Sequence, residues 1–236
     1  MIYKKIVKVI CLSFALILMI GVCGCMEKSP KFSTDDIIKY MNEKYGVTFT
    51  YIEPVDANQP TATSLAIFLE EPTHPGKRIF AKCVLSSNTG EKSFSDNYTS
   101  YLYEEDTRSL LTSISTEIYP DAKIRYAVDL TSPSSYSGDS MPTFEEYISR
   151  TKSSISFMIL LSDTHDTSTN KEEAQKLCSL LMDRKVACSV TIAYAKEKSQ
   201  YENFVTDNWE NTHEQYRLRG DLRIGESNAV EFEEWR

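Results

Sequence analysis

Ser154-Ile155-Ser156-Phe157-Met158-Ile159-Leu160-Leu161 is apolar on both faces of an extended chain. A strand of that kind must be covered from both sides, so it belongs in the middle of a sheet. Downstream, Asn170 to Glu173 reads as a capping box that opens a helix with Ala174, Leu177, Cys178 and Leu181 inward. Val186 to Tyr194 then reads as a second central strand. Upstream, Ile124, Tyr126, Val128 and Leu130 alternate as a strand, Thr131 to Ser140 is a Ser-rich loop, and Thr143 to Glu146 caps a helix through Ile148. The order strand, helix, strand, helix, strand predicts crossover units and an α/β sandwich.

Further along, Tyr201, Phe204 and Val205 mark a short helix. Tyr216, Leu218, Leu222 and Ile224 alternate with Arg217, Arg219, Asp221 and Arg223, which gives one buried and one wet face. Gly225 to Asn228 turns the chain into Val230 and Phe232, a closing hairpin.

The first half has a different rhythm. Ser33 or Thr34 caps a helix whose first turn carries Asp35 and Asp36, whose buried stripe is Ile37, Ile38, Met41 and Tyr45, and which Gly46 stops. Val47, Phe49 and Tyr51 alternate as a strand. Pro54 to Thr63 is a loop, and Ser64 to Glu70, Arg78 to Leu85 and Lys92 to Ser95 are further strands. After Asp96 the period lengthens: Tyr98, Leu102, Leu110, Leu111, Ile114 and Ile118 share one face of a long helix that Pro120 ends. The expected fold class is α+β: a helix-flanked antiparallel sheet in residues 32–120, then an α/β half with a mixed sheet in residues 121–236, as two subdomains or one continuous domain.

Before this body lies a different kind of segment. Lys4, Lys5 and Lys8 precede an apolar run from Val9 to Val22, the layout of an export leader. Val22-Cys23-Gly24-Cys25 resembles the lipobox of bacterial lipoproteins, with a small residue before the cysteine that is diacylated. That resemblance implies a signal peptide over residues 1–24, lipidation at Cys25, a tether over residues 25–31 broken by Pro30, and a protein held at the outer face of the cell membrane. The competing reading is an uncleaved span, since no charge falls between Lys8 and Glu27. Lysines stay inside and the rest crosses in either case. The Asp35 to Gly46 helix and the Asp96-Asn97-Tyr98 helix start are similar to segments of uncharacterised Gram-positive lipoproteins, a likeness that implies no reaction and transfers no catalytic residue.

Removing the leader takes Lys+Arg from 26 to 23 against 34 Asp+Glu, a net charge of −11. Such a surface repels nucleic acid and anionic headgroups, so no nucleic-acid partner is expected. Of six cysteines, Cys11 and Cys23 leave with the leader and Cys25 is acylated. Cys83, Cys178 and Cys188 remain as an odd set that reads as buried inert thiols, with a Cys178 to Cys188 bridge open to geometry.

No catalytic motif stands out. Asp163-Thr164-His165-Asp166 follows the central strand, where α/β sheets place ligand loops. Those oxygen and imidazole groups suit a divalent ion, yet the EF-hand pattern is absent and a loop before a capped helix calls for the same residues. His74 and His213 read as exposed surface histidines. Ser149-x-x-Lys152 and Ser168-x-x-Lys171 match a bare Ser-x-x-Lys spacing without its companion motifs. Arg217, Arg219 and Arg223 read as a solvated strand face. Tyr98 and Tyr101 read as core, with Tyr103, Glu104, Glu105 and Asp106 exposed.

No catalytic residue, cofactor or metal ligand is assigned. The expected role is a non-catalytic binding module at the cell envelope, its partners the membrane through the N-terminal lipid and an unidentified envelope protein or polymer. Two other readings stand beside it: an envelope hydrolase whose acid and base lie far apart in sequence, and a structural part of a secretion or conjugation assembly.

Overall fold

The computed structural model describes residues 33–58, 60–128, 140–150, 155–204 and 216–236. The leader, Cys25, the tether, most of the Ser-rich loop, Lys152 and His213 therefore lie outside the described residues, and so do Leu130, Ser154 and Val205.

At the centre, β6 (Ile155–Leu161) pairs in parallel with β7 (Cys188–Tyr194), Ser156 opposite Ser189 and Leu161 opposite Tyr194. On its other side β6 pairs antiparallel with β5 (Lys123–Val128). β7 pairs antiparallel with β8 (Leu218–Ile224), and β8 with β9 (Val230–Trp235), closing a mixed five-stranded sheet in the order β5-β6-β7-β8-β9. The two-faced apolar character of β6 is explained directly. Ile155, Phe157, Ile159 and Leu161 face the main core, whereas Met158 and Leu160 join Ala193 and Ala195 under Tyr201, Phe204 and Tyr216. That cover is tied down by Lys123, whose Nζ donates to the carbonyls of Tyr201 at 2.6 Å and Glu202 at 3.0 Å beside α6 (Lys198–Glu202).

One of the two expected crossovers is corrected. α5 (Asn170–Asp183) links parallel strands, as expected, but α4 (Phe144–Arg150) does not, because β5 and β6 are antiparallel and Val128 lies opposite Ile155. Length supplies the reason. Fourteen helical residues advance about 21 Å and match a seven-residue strand of roughly 23 Å, whereas the seven of α4 advance only about 10 Å. α4 instead stays near the entrance of β7, where Ala187 N–H donates to the Ile148 carbonyl at 2.9 Å.

The other sheet is an antiparallel meander, β1 (Thr50–Pro54), β2 (Ser64–Glu70), β3 (Ile79–Leu85) and β4 (Lys92–Asp96). α1 (Thr34–Tyr45) precedes it, capped by Ser33 in a capping box with Asp36 and closed by Gly46 at φ 68°. Its fully buried apolar side chains are Ile37 and Met41; Ile38 and Tyr45 are half-buried. The strand expected to begin at Val47 starts later. Phe49 is buried ahead of it with its N–H on Asn42 Oδ1, and Tyr51 points outward.

The single long helix expected after Asp96 is two, α2 (Tyr98–Leu102) and α3 (Glu104–Ile118), divided at Tyr103. Tyr98, Thr99, Ser100 and Tyr101 are all buried, so α2 is covered all round while α3 is amphipathic, and one straight axis does not serve both. Tyr103 is half-buried, its ring tilted against Phe144 and Tyr147 and its hydroxyl donating to the Pro142 carbonyl at 2.7 Å; the expected exposure is corrected. α3 packs on α5 and β5. Through it Ile37, Ile67, Leu111, Phe157, Leu177 and Ile224 belong to one hydrophobic core, and residues 32–236 form one compact unit.

A buried ion pair anchors α1. Lys44 Nζ lies 2.9 Å from Asp96 Oδ2 with both side chains essentially inaccessible, and Asp96 also accepts from Tyr45 Oη at 2.7 Å and Tyr98 N at 3.0 Å. Burial alone would lower the Lys44 pKa; the Asp96 charge and the hydrogen bonds that Nζ donates to Tyr40 and Asp96 outweigh it and hold the pKa above the ordinary 10.5. The stability linked to the Lys44 proton is thus fully present below pH 10.5 and is lost as pH rises through the raised pKa. Lys44→Met should cost about 3 kcal/mol in urea unfolding at pH 7, because it strands a buried carboxylate, and Lys44→Met/Asp96→Asn should recover part of that loss.

Candidate functional site

β6 and β7 end side by side, and the chain leaves both ends as loops. After Leu161 comes the Ser162 to Thr169 loop, and Ala195 N–H still donates to the Leu161 carbonyl at 2.9 Å. Asp166 shapes this loop by accepting from Ser168 N at 2.8 Å and Ser168 Oγ at 2.7 Å, bonds that lower its pKa. Its carboxylate thus makes the turn that the sequence reading offered as the alternative to a metal ligand. Among the described residues no group of three or more His, Cys, Asp or Glu is placed to hold a metal ion.

The turn delivers His165 onto the sheet end. Its ring lies 5.9 Å from that of Tyr119, which follows α3, and 5.7 Å from that of Tyr194, the last residue of β7. Its Nε2 is 3.3 Å from Glu173 Oε2. The second expected capping box therefore does not form. Thr169 stands at the helix N-cap without a side-chain bond, and Glu173 turns to the imidazole of His165. Arg217 closes the group: its N–H donates to the Tyr194 carbonyl, its Nη2 donates to the His165 carbonyl at 2.6 Å, and its guanidinium lies 6.0 Å from the Tyr194 ring centre.

Beneath this half-exposed lip lie two fully buried tyrosines, Tyr119 and Tyr194, whose hydroxyls have no hydrogen-bond partner among the described residues. Burial, and after it the charges of neighbouring groups including Glu173, push both phenols far above their ordinary range, so both stay neutral O–H donors. The rings of Tyr119 and Tyr194, the Glu173 carboxylate and the Arg217 side chain thus gather around His165. Sequence reasoning selected His165 and its loop but missed Tyr119, Tyr194 and Glu173. A tyrosine ending an apolar strand or preceding Pro120 reads as core, and Glu173 reads as half of a cap.

Other sequence candidates lie apart from this cluster. His74 is corrected from exposed to half-buried: its Nδ1 is 2.8 Å from Glu71 Oε2, and its ring stands edge-on to Tyr98. Ser149 Oγ donates to the Glu146 carbonyl and Ser168 Oγ to the Asp166 carboxylate that shapes its own turn. Arg219 pairs with Asp221, and Arg223 is exposed. Arg217 leaves that row for His165. Tyr98 and Tyr101 are buried, and Glu104 is half-buried between Lys77 and Arg108. Cys83, Cys178 and Cys188 are free, buried thiols. Burial pushes all three up, Cys178 to about 11.

No family model and no curated protein sequence matches this chain. Among solved structures it is similar to that of a DUF5037 family protein from Ruminococcus gnavus ATCC 29149, at 13% identity and a TM-score of 0.41, over 84% of this chain and 94% of that one.

Two outcomes follow from these environments. The thiols of Cys83, Cys178 and Cys188 should stay unlabelled by a disulfide reagent in the native protein and react on denaturation, since the thiolate is the reactive form. Burial works against ionised Glu71, but hydrogen bonds from Thr73 and His74 prevail and hold its pKa at about 2 against 4.5. Its contribution is complete above pH 4.5 and is lost as pH falls toward 2. Glu71→Gln should lower stability by about 1–2 kcal/mol at pH 7, and thermal unfolding curves of variant and parent should converge in acid.

Proposed function

We propose that this chain is a lipid-anchored protein of the bacterial cell envelope, fastened at Cys25 outside the membrane and acting there as a non-catalytic binding module. The observation that carries the reading is the charged start, apolar run and Val22-Cys23-Gly24-Cys25 ending of the leader. Two acyl chains give stable anchoring where one does not. Only residues 26–32 separate Cys25 from the cap of α1, a reach of roughly 25 Å at ~3.5 Å per residue, so the body works near the lipid.

Binding rather than covalent catalysis is supported by the state of the nucleophiles. The three thiols are raised by burial, the phenols of the sheet-end cluster are held neutral, and Ser149 and Ser168 make local hydrogen bonds. The contact between His165 and Glu173 is the observation that favours the second reading, an envelope hydrolase, because it pairs a base with a carboxylate that can orient it. Tyr51 and Ile52 in β1 and Val55 just after it, each about 40% exposed, are what favours a structural role in a larger assembly.

In cells fed a clickable fatty acid, the parent protein should label and fractionate with membranes, whereas Cys25→Ala should lose the label. Recovery of the parent in the cytosol, unacylated and with its leader intact, would overturn the reading.

A further inference from the structure

Lys44 and Asp96 form an ion pair unlike the others among the described residues, each of which has at least one partner that water reaches. Here the two side chains are 1% and 0% accessible. Lys44 Nζ stands 2.9 Å from Asp96 Oδ2 and also donates to Tyr40 Oη at 3.0 Å. The other carboxylate oxygen, Oδ1, accepts from Tyr45 Oη at 2.7 Å and from the Tyr98 N–H at 3.0 Å. The rings of Tyr45, Phe49 and Tyr98 pack edge to face beside this group.

An amine, a carboxyl carbon and two donors aimed at the oxygen that takes up charge are the parts of an amide condensation. Nζ, having passed one proton to Oδ2 across their contact, attacks Asp96 Cγ. The charge that develops on Oδ1 falls on the Tyr45 hydroxyl and the Tyr98 N–H. Collapse of this intermediate breaks the Cγ–Oδ2 bond, and Oδ2 leaves as water with two of the protons of Nζ. An ammonium and a carboxylate thus become one amide and one water, with no other reactant. Lys44 holds its proton at rest, so the reacting state is rare. Fixed placement compensates, since effective molarities of well-oriented groups reach roughly 10⁵–10⁸ M. The burial that excludes solvent also withholds the water that the reverse reaction needs.

We propose that Lys44 and Asp96 close into an intramolecular isopeptide bond, with the buried ion pair as its reactant state and the Tyr45 hydroxyl and Tyr98 N–H as its charge-stabilising donors. The bond ties the end of α1 to the β4–α2 junction across 52 positions of sequence. In the denatured chain it persists as a closed loop, which restricts that state and so stabilises the folded one. Chain in which the bond has not closed keeps the pH dependence of the ion pair. The inference goes beyond the envelope reading and stands whether or not Cys25 is acylated.

The test is a peptide map: the purified full chain is denatured, digested with trypsin and read by tandem mass spectrometry. Trypsin does not cleave after an acylated lysine. The bond should therefore give one branched peptide, residues 40–77 joined to residues 93–108, lighter than its two parts by one water. Lys44→Arg and Asp96→Ala should give none. Tyr45→Phe keeps the ring and removes a donor to Oδ1, so closure followed in freshly synthesised chain should slow about tenfold or more. Recovery of residues 40–44, 45–77 and 93–108 from the parent only as separate peptides overturns the proposal. Closure in Tyr45→Phe as fast as in the parent overturns the part given to Tyr45. Where Lys44→Arg or Asp96→Ala fails to fold, the parent digest still decides.

Discussion

Parallel pairing of β6 with β7 is the constraint from which the rest of the molecule follows. Two adjacent parallel strands need a connection long enough to bring the chain back, and among the described helices of this half only α5 has that length. Parallel strands also need both faces covered. One face takes α3, α5 and, through them, the core of the antiparallel half; the other takes Tyr201, Phe204 and Tyr216. The same pairing brings two strand ends and the start of α5 together, which is why His165, Tyr194, Glu173 and Arg217 meet although they are scattered over more than fifty residues.

The buried polar groups fall into two kinds with opposite physical meaning. Lys44, Asp96, Tyr45 and Thr99 complete one another, as do Glu71, Thr73, His74 and Tyr98. Each set joins segments distant in sequence, α1 to the β4–α2 junction and the β2–β3 turn to α2, so these groups define how the elements of the first half sit together. At the sheet end the balance is different. Tyr119 and Tyr194 are fully buried, with no hydrogen-bond partner for their hydroxyls among the described residues, next to a histidine and a glutamate that solvent still reaches.

Much of the architecture was legible because it rests on short-range periodicity. Ser64–Glu70 was legible to the residue, α1 was legible with its Gly46 stop and with Ser33 as one of two candidate caps, and the mixed α+β class followed from one half that alternates and one that runs apolar on both faces. The errors share one cause. Residues 98–118 carry a continuous helical period, but Tyr103 docks on Pro142 and α4 and divides the helix. Asn170 to Glu173 has capping-box chemistry, yet a histidine eight residues upstream of Glu173 captures its carboxylate. β5 has the pattern of a crossover partner, and its register with β6 makes it antiparallel. In each case a local signal met a partner that sequence spacing does not reveal.

By itself the sequence determined where most of the strands and helices fall and which faces they bury, because these depend on side-chain period and turn chemistry. Only the tertiary structure decided the direction of β5, the division at Tyr103, the burial of Lys44 against Asp96, and the convergence of Tyr119, Tyr194, Glu173 and Arg217 on His165. Those outcomes depend on desolvation and on which distant groups come within hydrogen-bonding distance, quantities that exist only once the chain has closed on itself.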